Sequence, residues 1–268
     1  MTLLGTDWAE TYGRMLSWQT ESLWRHELPV LASAPALVEA KTIVDVGAGN
    51  GAFGRRLASA FPEKRFLGVE PNAAIFAVGA RSASPPNYRY VLGGFESVTG
   101  VHDLLFARLV VMYLPDRDAL YAWARRHART AIVVNGADMA STAEPEMPLV
   151  AAALEEGFRN RTEVLATTHV GDRDLDAMQD EWAAAGFLPW GSATVAAELH
   201  DPEDVRLHHH VIRLVLAGLN PDALTRDLLN ELYLWSIDPE ARATVGIAYH
   251  CVLNPLLAGN DIGEATVA

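Results

Sequence analysis

The stretch Lys41-Thr-Ile-Val-Asp-Val-Gly-Ala-Gly-Asn-Gly-Ala-Phe-Gly54 decides the fold class of this chain. Its first half is an apolar run that predicts a buried strand, and this strand leads directly into a turn rich in glycine. Apolar residues then recur at helical spacing, and a second short strand over 66–69 ends at Glu70. A strand, a glycine turn, a helix and a strand that ends in an acid predict half of a nucleoside-binding α/β sheet.

The glycines of this turn fit two classes of cofactor. Positions 49, 51 and 54 match the G-x-G-x-x-G pattern of dinucleotide enzymes, and Glu70 follows at about the expected 20 residues. Positions 47, 49 and 51 form a second pattern, which is preceded by Asp45. A dinucleotide site rarely has a carboxylate there, because it would face the pyrophosphate. Asp45 therefore favours a cofactor without a pyrophosphate.

The segment Val44-Asp-Val-Gly-Ala-Gly-Asn-Gly51 resembles motif I of the class I S-adenosylmethionine (SAM)-dependent methyltransferases. Two further segments resemble the same family in the same order. The segment 102–116, which ends in Leu-Pro-Asp, resembles its fourth strand and the start of the following helix. Gly94-Phe95-Glu96 resembles the exit of its third strand, where a side chain meets the adenine. Three ordered motifs favour the methyltransferase fold over the dinucleotide fold.

This resemblance implies an α/β fold with a doubly wound, seven-stranded, mostly parallel sheet of the Rossmann-like methyltransferase type. We expect an antiparallel last strand over 243–253 and a helical cap or lid over 1–34, which the helical spacing predicts as a pair of helices. The SAM-binding core then spans 35–268, with a helical insertion at about 201–236 that lies on the substrate side in similar enzymes.

The sequence of the insertion predicts two helices, over 201–217 and 221–235. The second begins with Asn220 as its N-cap and Pro221 as its first helical residue, which is a strong start signal.

The resemblance also implies that SAM is the cofactor. In that family the acid before the first glycine lies near the amino acid end of the cofactor, and an acid after the second strand can accept both ribose hydroxyls. The expected cofactor-binding residues are Asp45, Gly47, Ala48, Gly49, Asn50, Glu70, Pro71, Phe95, Glu96 and Arg108. Two further roles stay open for Arg108, which can bind a substrate carboxylate in a bidentate pair or pair with a nearby acid of the protein.

Methyl transfer is an in-line displacement, so positioning dominates, and a base is needed only where the nucleophile starts protonated. The candidate catalytic residues are Tyr12, Asn135, Asp138 and His169, with Tyr113 and His250 as further candidate bases. Asn135 and Asp138 leave the fifth strand at the edge of the glycine loop, although both are also turn formers. His250 is equally typical of a core histidine. Aromatic cap residues such as Tyr12 and Trp18 suit a sulfonium cation.

Composition restricts the partners. The net charge of −13, from 21 basic and 34 acidic residues, argues against nucleic acid and an anionic membrane surface. Neither an apolar run of about 18 residues nor a signal-peptide pattern occurs, and Cys251 is the only cysteine, so a cytoplasmic location is expected. We expect no metal, because the consecutive histidines 208–210 point about 100° apart on a helix.

The predicted function is SAM-dependent methyl transfer to oxygen, nitrogen or carbon of a small metabolite in specialised metabolism, such as natural product biosynthesis, by a monomer or homodimer. Two alternatives stay open. One is a SAM enzyme of the same fold that uses the aminocarboxypropyl arm, either to cyclise SAM or to transfer that arm. The other is a non-catalytic SAM-binding protein.

Overall fold

The computed structural model describes residues 8–111, 114, 116–136, 143–164 and 175–257. Its helices are α1 (Trp8–Ser33), α2 (Pro35–Glu39), α3 (Ala52–Ala60), α4 (Ala73–Gly79), α5 (Arg117–His127), α6 (Pro148–Val164), α7 (Leu175–Ala184), α8 (Pro202–Leu219) and α9 (Arg226–Ile237). Its strands are β1 (Thr42–Val46), β2 (Arg65–Glu70), β3 (Tyr88–Leu92), β4 (His102–Arg108), β5 (Ala128–Gly136), β6 (Ala143–Glu144), β7 (Leu188–Leu199) and β8 (Arg242–Leu253).

These strands form one sheet, in which five run parallel in the order β3-β2-β1-β4-β5. The long strand β8 is antiparallel to β5 and pairs with β7 along its other edge. The two-residue β6 pairs with the start of β8. The prediction of a mostly parallel, doubly wound α/β sheet with an antiparallel last strand is confirmed. The described sheet has eight strands rather than seven because β6 adds one short pairing.

Helices cover both faces of this sheet, which explains why its central strands are apolar almost throughout. One face carries a core with side chains from α1, α2 and α3, and the opposite face packs against α5 and α7. A third apolar cluster joins α6, α8 and α9. The order of the parallel strands reverses between β1 and β4, so the carboxyl ends of these two strands open a crevice where α/β sheets bind ligands.

Two predicted helix boundaries were wrong. The N-terminal region forms the single 26-residue helix α1 and the short α2, not a pair of similar helices. α1 continues through Pro29 because its buried stripe runs on without a break from Leu23 through Glu27 to Leu31. In the insertion, α9 begins at Arg226 and not at Pro221, since residues 221–223 form a separate 3-10 turn and Thr225 is the N-cap.

Asn254 ties the end of β8 to the end of α5. Its amide nitrogen donates to the carbonyl oxygens of Arg125 and Ala128, each at 2.9 Å, and its side-chain oxygen accepts from the Arg125 guanidinium at 2.9 Å. The side chain is fully buried, and so is its bond to the Ala128 carbonyl. This residue therefore fixes the last strand against the parallel half of the sheet.

We expect Asn254→Ala to lower the free energy of unfolding by at least about 2 kcal/mol, because it leaves buried carbonyl groups without a donor. Urea unfolding followed by circular dichroism measures this loss. Asn230→Ala, at an exposed position of α9, is the control and should change stability by less than about 0.5 kcal/mol. Equal stability of the two variants would show that Asn254 does not hold the strand.

Candidate functional site

The glycine loop, residues 47–51, leaves β1 at the crevice. Gly47, Gly49 and Gly51 have φ values of 65°, 58° and 73°, a region that side-chain-bearing residues rarely adopt. The Ala48 amide donates to the carbonyl of Val69 at 3.0 Å, so the loop folds back onto the end of β2. The loop therefore needs glycine at these three positions for its backbone conformation, and it lies at the carboxyl edge of the sheet.

Glu70, the last residue of β2, holds this loop with its side chain. One carboxylate oxygen accepts from the Gly49 amide at 2.9 Å, and the other accepts from the Asn72 amide at 2.8 Å. Burial raises the pKa of Glu70, and these two hydrogen bonds partly offset the effect. A carboxylate has about four lone-pair sites, so each oxygen of Glu70 retains capacity to accept from a ligand hydroxyl.

Asp45 lies buried on β1, directly before the loop. Burial raises the pKa of its carboxyl to about 7; the charge of Arg108 acts to lower that pKa and the charge of Glu70 to raise it. No hydrogen bond from another described residue affects the pKa of Asp45. A buried carboxylate held without donors is costly. Asp45 is therefore a group whose negative charge a nearby cation would stabilise.

Glycines around the loop also make room for the ring of Tyr88. A Cβ on Gly54 would lie 2.6 Å from the Tyr88 hydroxyl and 2.8 Å from an Asp45 oxygen, and a Cβ on Gly68 would lie 2.8 Å from the ring. Gly54, the third glycine of the G-x-G-x-x-G pattern, is therefore required for packing against Tyr88. Within the described chain the buried Tyr88 hydroxyl has no hydrogen-bond partner.

Helix α1 lies directly on the glycine loop. The Asn50 side-chain amide donates to the carbonyl of Gly13 at 2.6 Å and to the hydroxyl of Ser17 at 2.8 Å. The side chain of Leu16 contacts the loop so closely that a Cβ on Gly49 would lie 2.7 Å from it. The side-chain amide of Asn50, a residue predicted to bind the cofactor, thus attaches α1 to the loop.

Arg108 binds an acid of the protein, which is one of the roles the sequence left open. Its guanidinium forms a bidentate pair with Glu27 of α1, with both nitrogen–oxygen distances 2.9 Å, and lies 4.4 Å from the centre of the Phe53 ring. The Tyr249 hydroxyl donates to the same carboxylate at 2.6 Å. Burial acts to lower the pKa of Arg108, but the charge and hydrogen bonds of Glu27 outweigh it and raise that pKa.

Glu27 was not singled out from the sequence. A signal was present, since Glu27 falls four residues after Leu23 and four before Leu31, on the apolar stripe of α1. An acid at such a position needs a buried cation, and the arginine at the end of β4 supplies it.

The backbone directly after Arg108 is strained. Leu109 has a φ of 56°, and its amide donates to the carbonyl of Val134 at 2.8 Å. This turn directs Val110 onto the glycine loop, where a Cβ on Gly47 would collide with the Val110 side chain. Strain of this kind clusters at ligand sites. No sequence signal marked Leu109.

Two aromatic residues of α1 contact other rings. Tyr12 is 40% exposed and contacts the ring of Trp8. The ring of Trp18 contacts that of His210 of α8, with ring centres 4.7 Å apart, and so joins the cap to the insertion. An aromatic environment for a sulfonium stays a prediction.

The remaining predicted cofactor residues divide between core and surface. Phe95 is buried, with its ring centre 5.9 Å from that of Trp123, so its side chain packs in the core; its contact with an adenine stays a prediction. Glu96 and Pro71 are exposed beside the crevice.

The predicted catalytic residues are described only in part. The backbone of Asn135 lies at the end of β5, as expected, but its side chain is outside the description, and Tyr113, Asp138 and His169 lie outside the described residues altogether. His250 lies on β8 with its Nδ1 2.7 Å from the Gln179 side chain, in keeping with the core reading.

The three consecutive histidines diverge. His208 is buried against Trp235, His210 contacts the ring of Trp18, and burial lowers the pKa of His209 to about 4. Among the described residues, no cluster of histidine, cysteine and acidic side chains could hold a metal ion. No described helix is long and apolar enough to cross a membrane.

Known proteins similar to this chain are methyltransferases. No family model matches the chain. Trans-aconitate 2-methyltransferase of Deinococcus radiodurans is 35% identical over 88 residues, which are 32% of this chain and 33% of that protein. The match thus spans about a third of that relative's length.

Two solved structures show the same fold at low identity. Phosphoethanolamine N-methyltransferase 2 of Haemonchus contortus, in complex with SAM, has a TM-score of 0.50 at 14% identity, over 88% of this chain and 56% of its own. A candidate methyltransferase in complex with the Haloferax volcanii Trm112 methyltransferase activator also has a TM-score of 0.50 at 14% identity, over 90% of this chain and 94% of its own.

The backbone of the glycine loop leaves no space at Gly79 of α4. A Cβ there would lie 2.7 Å from the carbonyl carbon of Asn50 and 3.0 Å from its Cα, and main-chain atoms cannot turn aside as a side chain can. We expect Gly79→Ala to cost roughly 1–3 kcal/mol of stability, measured by urea unfolding. Gly191→Ala, at a position with nothing within 4 Å, is the control and should be neutral or slightly stabilising. A change of stability in Gly79→Ala as small as that in Gly191→Ala would contradict the close packing.

Asp45 should make stability depend on pH. Its pKa is about 7 when folded but near its usual value when unfolded, so the folded chain binds this proton more tightly. The resulting contribution to the free energy of unfolding is present at acidic pH and is lost as pH rises from about 4 to 7. Asp45→Asn lacks it, and we expect the variant to be more stable than the parent chain at about pH 8, by roughly 1–3 kcal/mol.

Unfolding of both proteins at a series of pH values measures this difference. The stabilisation by Asp45→Asn should shrink steadily towards about pH 5, because the parent carboxyl is then protonated when folded. A difference that is independent of pH would contradict the assignment.

Proposed function

We propose that this chain, a member of the class I SAM-dependent methyltransferase family by its fold and motifs, binds SAM at the glycine loop and transfers its methyl group to a small molecule. The observation that carries the proposal is the hydrogen bond between Glu70 and the glycine loop, which leaves β1 at the point where the strand order reverses. A backbone without Cβ atoms can approach a ligand closely, and an acid next to it can accept the two hydroxyls of a ribose.

The residues at this edge fit a cationic nucleoside. Asp45 and Glu70 are both buried carboxylates, and Arg108, whose positive charge acts on Asp45, is already bound by Glu27. Negative charge is thus in excess where the amino acid end of SAM would lie. When bound, SAM supplies an activated methyl group on a positive sulfonium. The part of the chain is to hold the reactants in line and to exclude water, and such positioning alone can contribute about 7–11 kcal/mol.

Helix α1 is proposed as the lid of this site, with the cap over 1–34 and the core over 35–268. The support is that α1 ends at Ser33 and contacts the loop through Leu16 and Asn50. Removal of residues 1–28 is not a suitable test of the lid. It would uncover the core around Leu23 and leave Arg108 buried without Glu27.

The substrate is proposed to be a small organic molecule of specialised metabolism, methylated on oxygen, nitrogen or carbon. The match to a trans-aconitate 2-methyltransferase supports a small substrate. The net charge of −13 supports a partner other than nucleic acid. Asn135, Asp138 and His169 remain the candidate residues on the substrate side, and Tyr12 at the cap.

Mass spectrometry of the products of SAM tests the function. The full chain is incubated with SAM and a metabolite extract, and both possible by-products are measured. We expect S-adenosylhomocysteine to accumulate only when extract and active protein are both present. Methylthioadenosine instead would indicate use of the aminocarboxypropyl arm. Binding of SAM without either by-product would indicate a non-catalytic SAM-binding protein, and both results would contradict methyl transfer.

Glu70→Ala should weaken SAM binding by about 1.5–3 kcal/mol, because it removes a charged acceptor of the ribose hydroxyls. Isothermal titration calorimetry with SAM measures the change. Glu39→Ala, at an exposed position on α2, is the matched control and should leave the affinity unchanged. Unchanged affinity in Glu70→Ala would place the cofactor elsewhere.

A further inference from the structure

The buried acids and bases of the ligand edge belong to one cluster drawn from four elements. Glu27 comes from α1, Asp45 from β1, Arg108 from β4 and Tyr249 from β8. Only two of them, Glu27 and Arg108, form an ion pair. The charges of two carboxylates thus act on one guanidinium, and Asp45 is the one that has no ion-pair partner among the described residues.

Arg108 is placed so that it could pair with Asp45. β1 and β4 are parallel neighbours, and Asp45 lies opposite Phe106 in their register. Side chains alternate along a strand, so Arg108, two residues after Phe106, lies on the same face as Asp45. A side chain as long as that of arginine reaches such a diagonal neighbour.

Arg108 nevertheless points to α1. Both nitrogen–oxygen distances to Glu27 are 2.9 Å, and Tyr249 donates to the same carboxylate at 2.6 Å, so Glu27 is held from two sides. The guanidinium also rests on the face of Phe53. These contacts satisfy Arg108 away from Asp45, and no ion pair joins the two in the described chain.

We propose that Glu27 is a positioning residue for the cofactor: by binding the Arg108 guanidinium it keeps Asp45 without a protein cation, so that the Asp45 carboxylate is available to a positively charged ligand. This role rests on the proposed binding of SAM. The same contact fixes α1 above the glycine loop, so the helix that covers the site also sets the charge beneath it. Glu27 acts through Arg108 and does not itself touch the ligand.

Few titratable groups interact electrostatically with Asp45. Glu70 of β2 adds negative charge, Tyr88 and Tyr90 of β3 interact with it electrostatically, and Arg108 of β4 favours its ionised form. Arg55 of α3 acts on both tyrosines. Of these, only Arg108 is restrained by a residue of α1.

Glu27→Gln isolates this role, because the amide keeps an oxygen for Arg108 or Tyr249 while the negative charge is lost. Arg108 then turns its charge to Asp45, which becomes ionised at lower pH and less available to the ligand. We expect SAM affinity at about pH 8 to fall roughly tenfold. The pH at which affinity begins to decline should move from near 7 to a lower value by about one unit.

For the double variant E27Q/R108M we expect the pH at which SAM affinity declines to shift in the opposite direction. It removes both charges of the pair, and apolar replacement of a buried pair is often tolerated. Asp45 then loses the cation that favours its ionised form. The pH at which SAM affinity declines should therefore move above that of the parent chain.

The measurement is calorimetric titration of the full chain with SAM from about pH 5.5 to 8.5, for the parent chain, Glu27→Gln and E27Q/R108M. Opposite shifts of the pH dependence in the two variants support the proposal. Equal losses of affinity at every pH, with an unchanged pH dependence, overturn it and leave Glu27 as an anchor of α1. If Glu27→Gln does not fold, the double variant decides alone, since an unshifted pH dependence overturns the proposal.

The outcome separates this inference from the proposed function. Binding of SAM by the parent chain without shifts in the variants removes only the role of Glu27. Absence of SAM binding by the parent chain at any pH removes the proposed function and this inference together.

Discussion

The contact of α1 with the glycine loop is the interaction on which the ligand edge depends. The Asn50 amide bonds to α1 at Gly13 and Ser17, while its side-chain oxygen accepts from the Ala52 amide at the start of α3, at 3.1 Å. One side chain thus joins the cap, the loop and α3. Glu70 holds the same loop from the opposite side. A ligand at this edge has to bind beside α1 and the glycine loop, which are already hydrogen-bonded to each other.

The second constraint is electrostatic. Asp45 and Glu70 are both buried; Asp45 directly precedes the loop in sequence, and Glu70 is hydrogen-bonded to it. Charges in such a place are costly unless they are compensated. The positive charge of Arg108 is compensated by Glu27. Asp45 has no such partner among the described residues, and its pKa is about 7. This arrangement makes a cation the favoured ligand, and it links the position of α1 to the charge of the site.

The sequence predicted the elements that carry local signals. The segment from Lys41 to Glu70 predicted β1, the glycine loop, α3 and β2, because buried strands and glycine turns have a short-range pattern. The antiparallel β8 was also predicted correctly. Thr225 was missed as the cap of α9 because Asn220-Pro221 is an equally good start signal, and only tertiary packing chooses between them.

Long-range pairs could not be predicted in the same way. The bond between Glu27 and Arg108 joins residues 81 positions apart, and that between Tyr249 and Glu27 joins residues 222 apart. Nothing near Arg108 in the sequence indicates which acid it meets. For the same reason, the sequence did not indicate that the ring of Phe95 packs against that of Trp123.

Hydrogen exchange of the full chain with and without SAM tests the central claim, that SAM binds at the glycine loop beneath α1. The account predicts slower exchange in three segments together: 47–52 in the loop, 70–72 after β2, and 13–20 of α1. These are the segments that the bonds of Asn50 and Glu70 connect. Protection elsewhere in the sheet, with unchanged exchange in the loop and in α1, would contradict it.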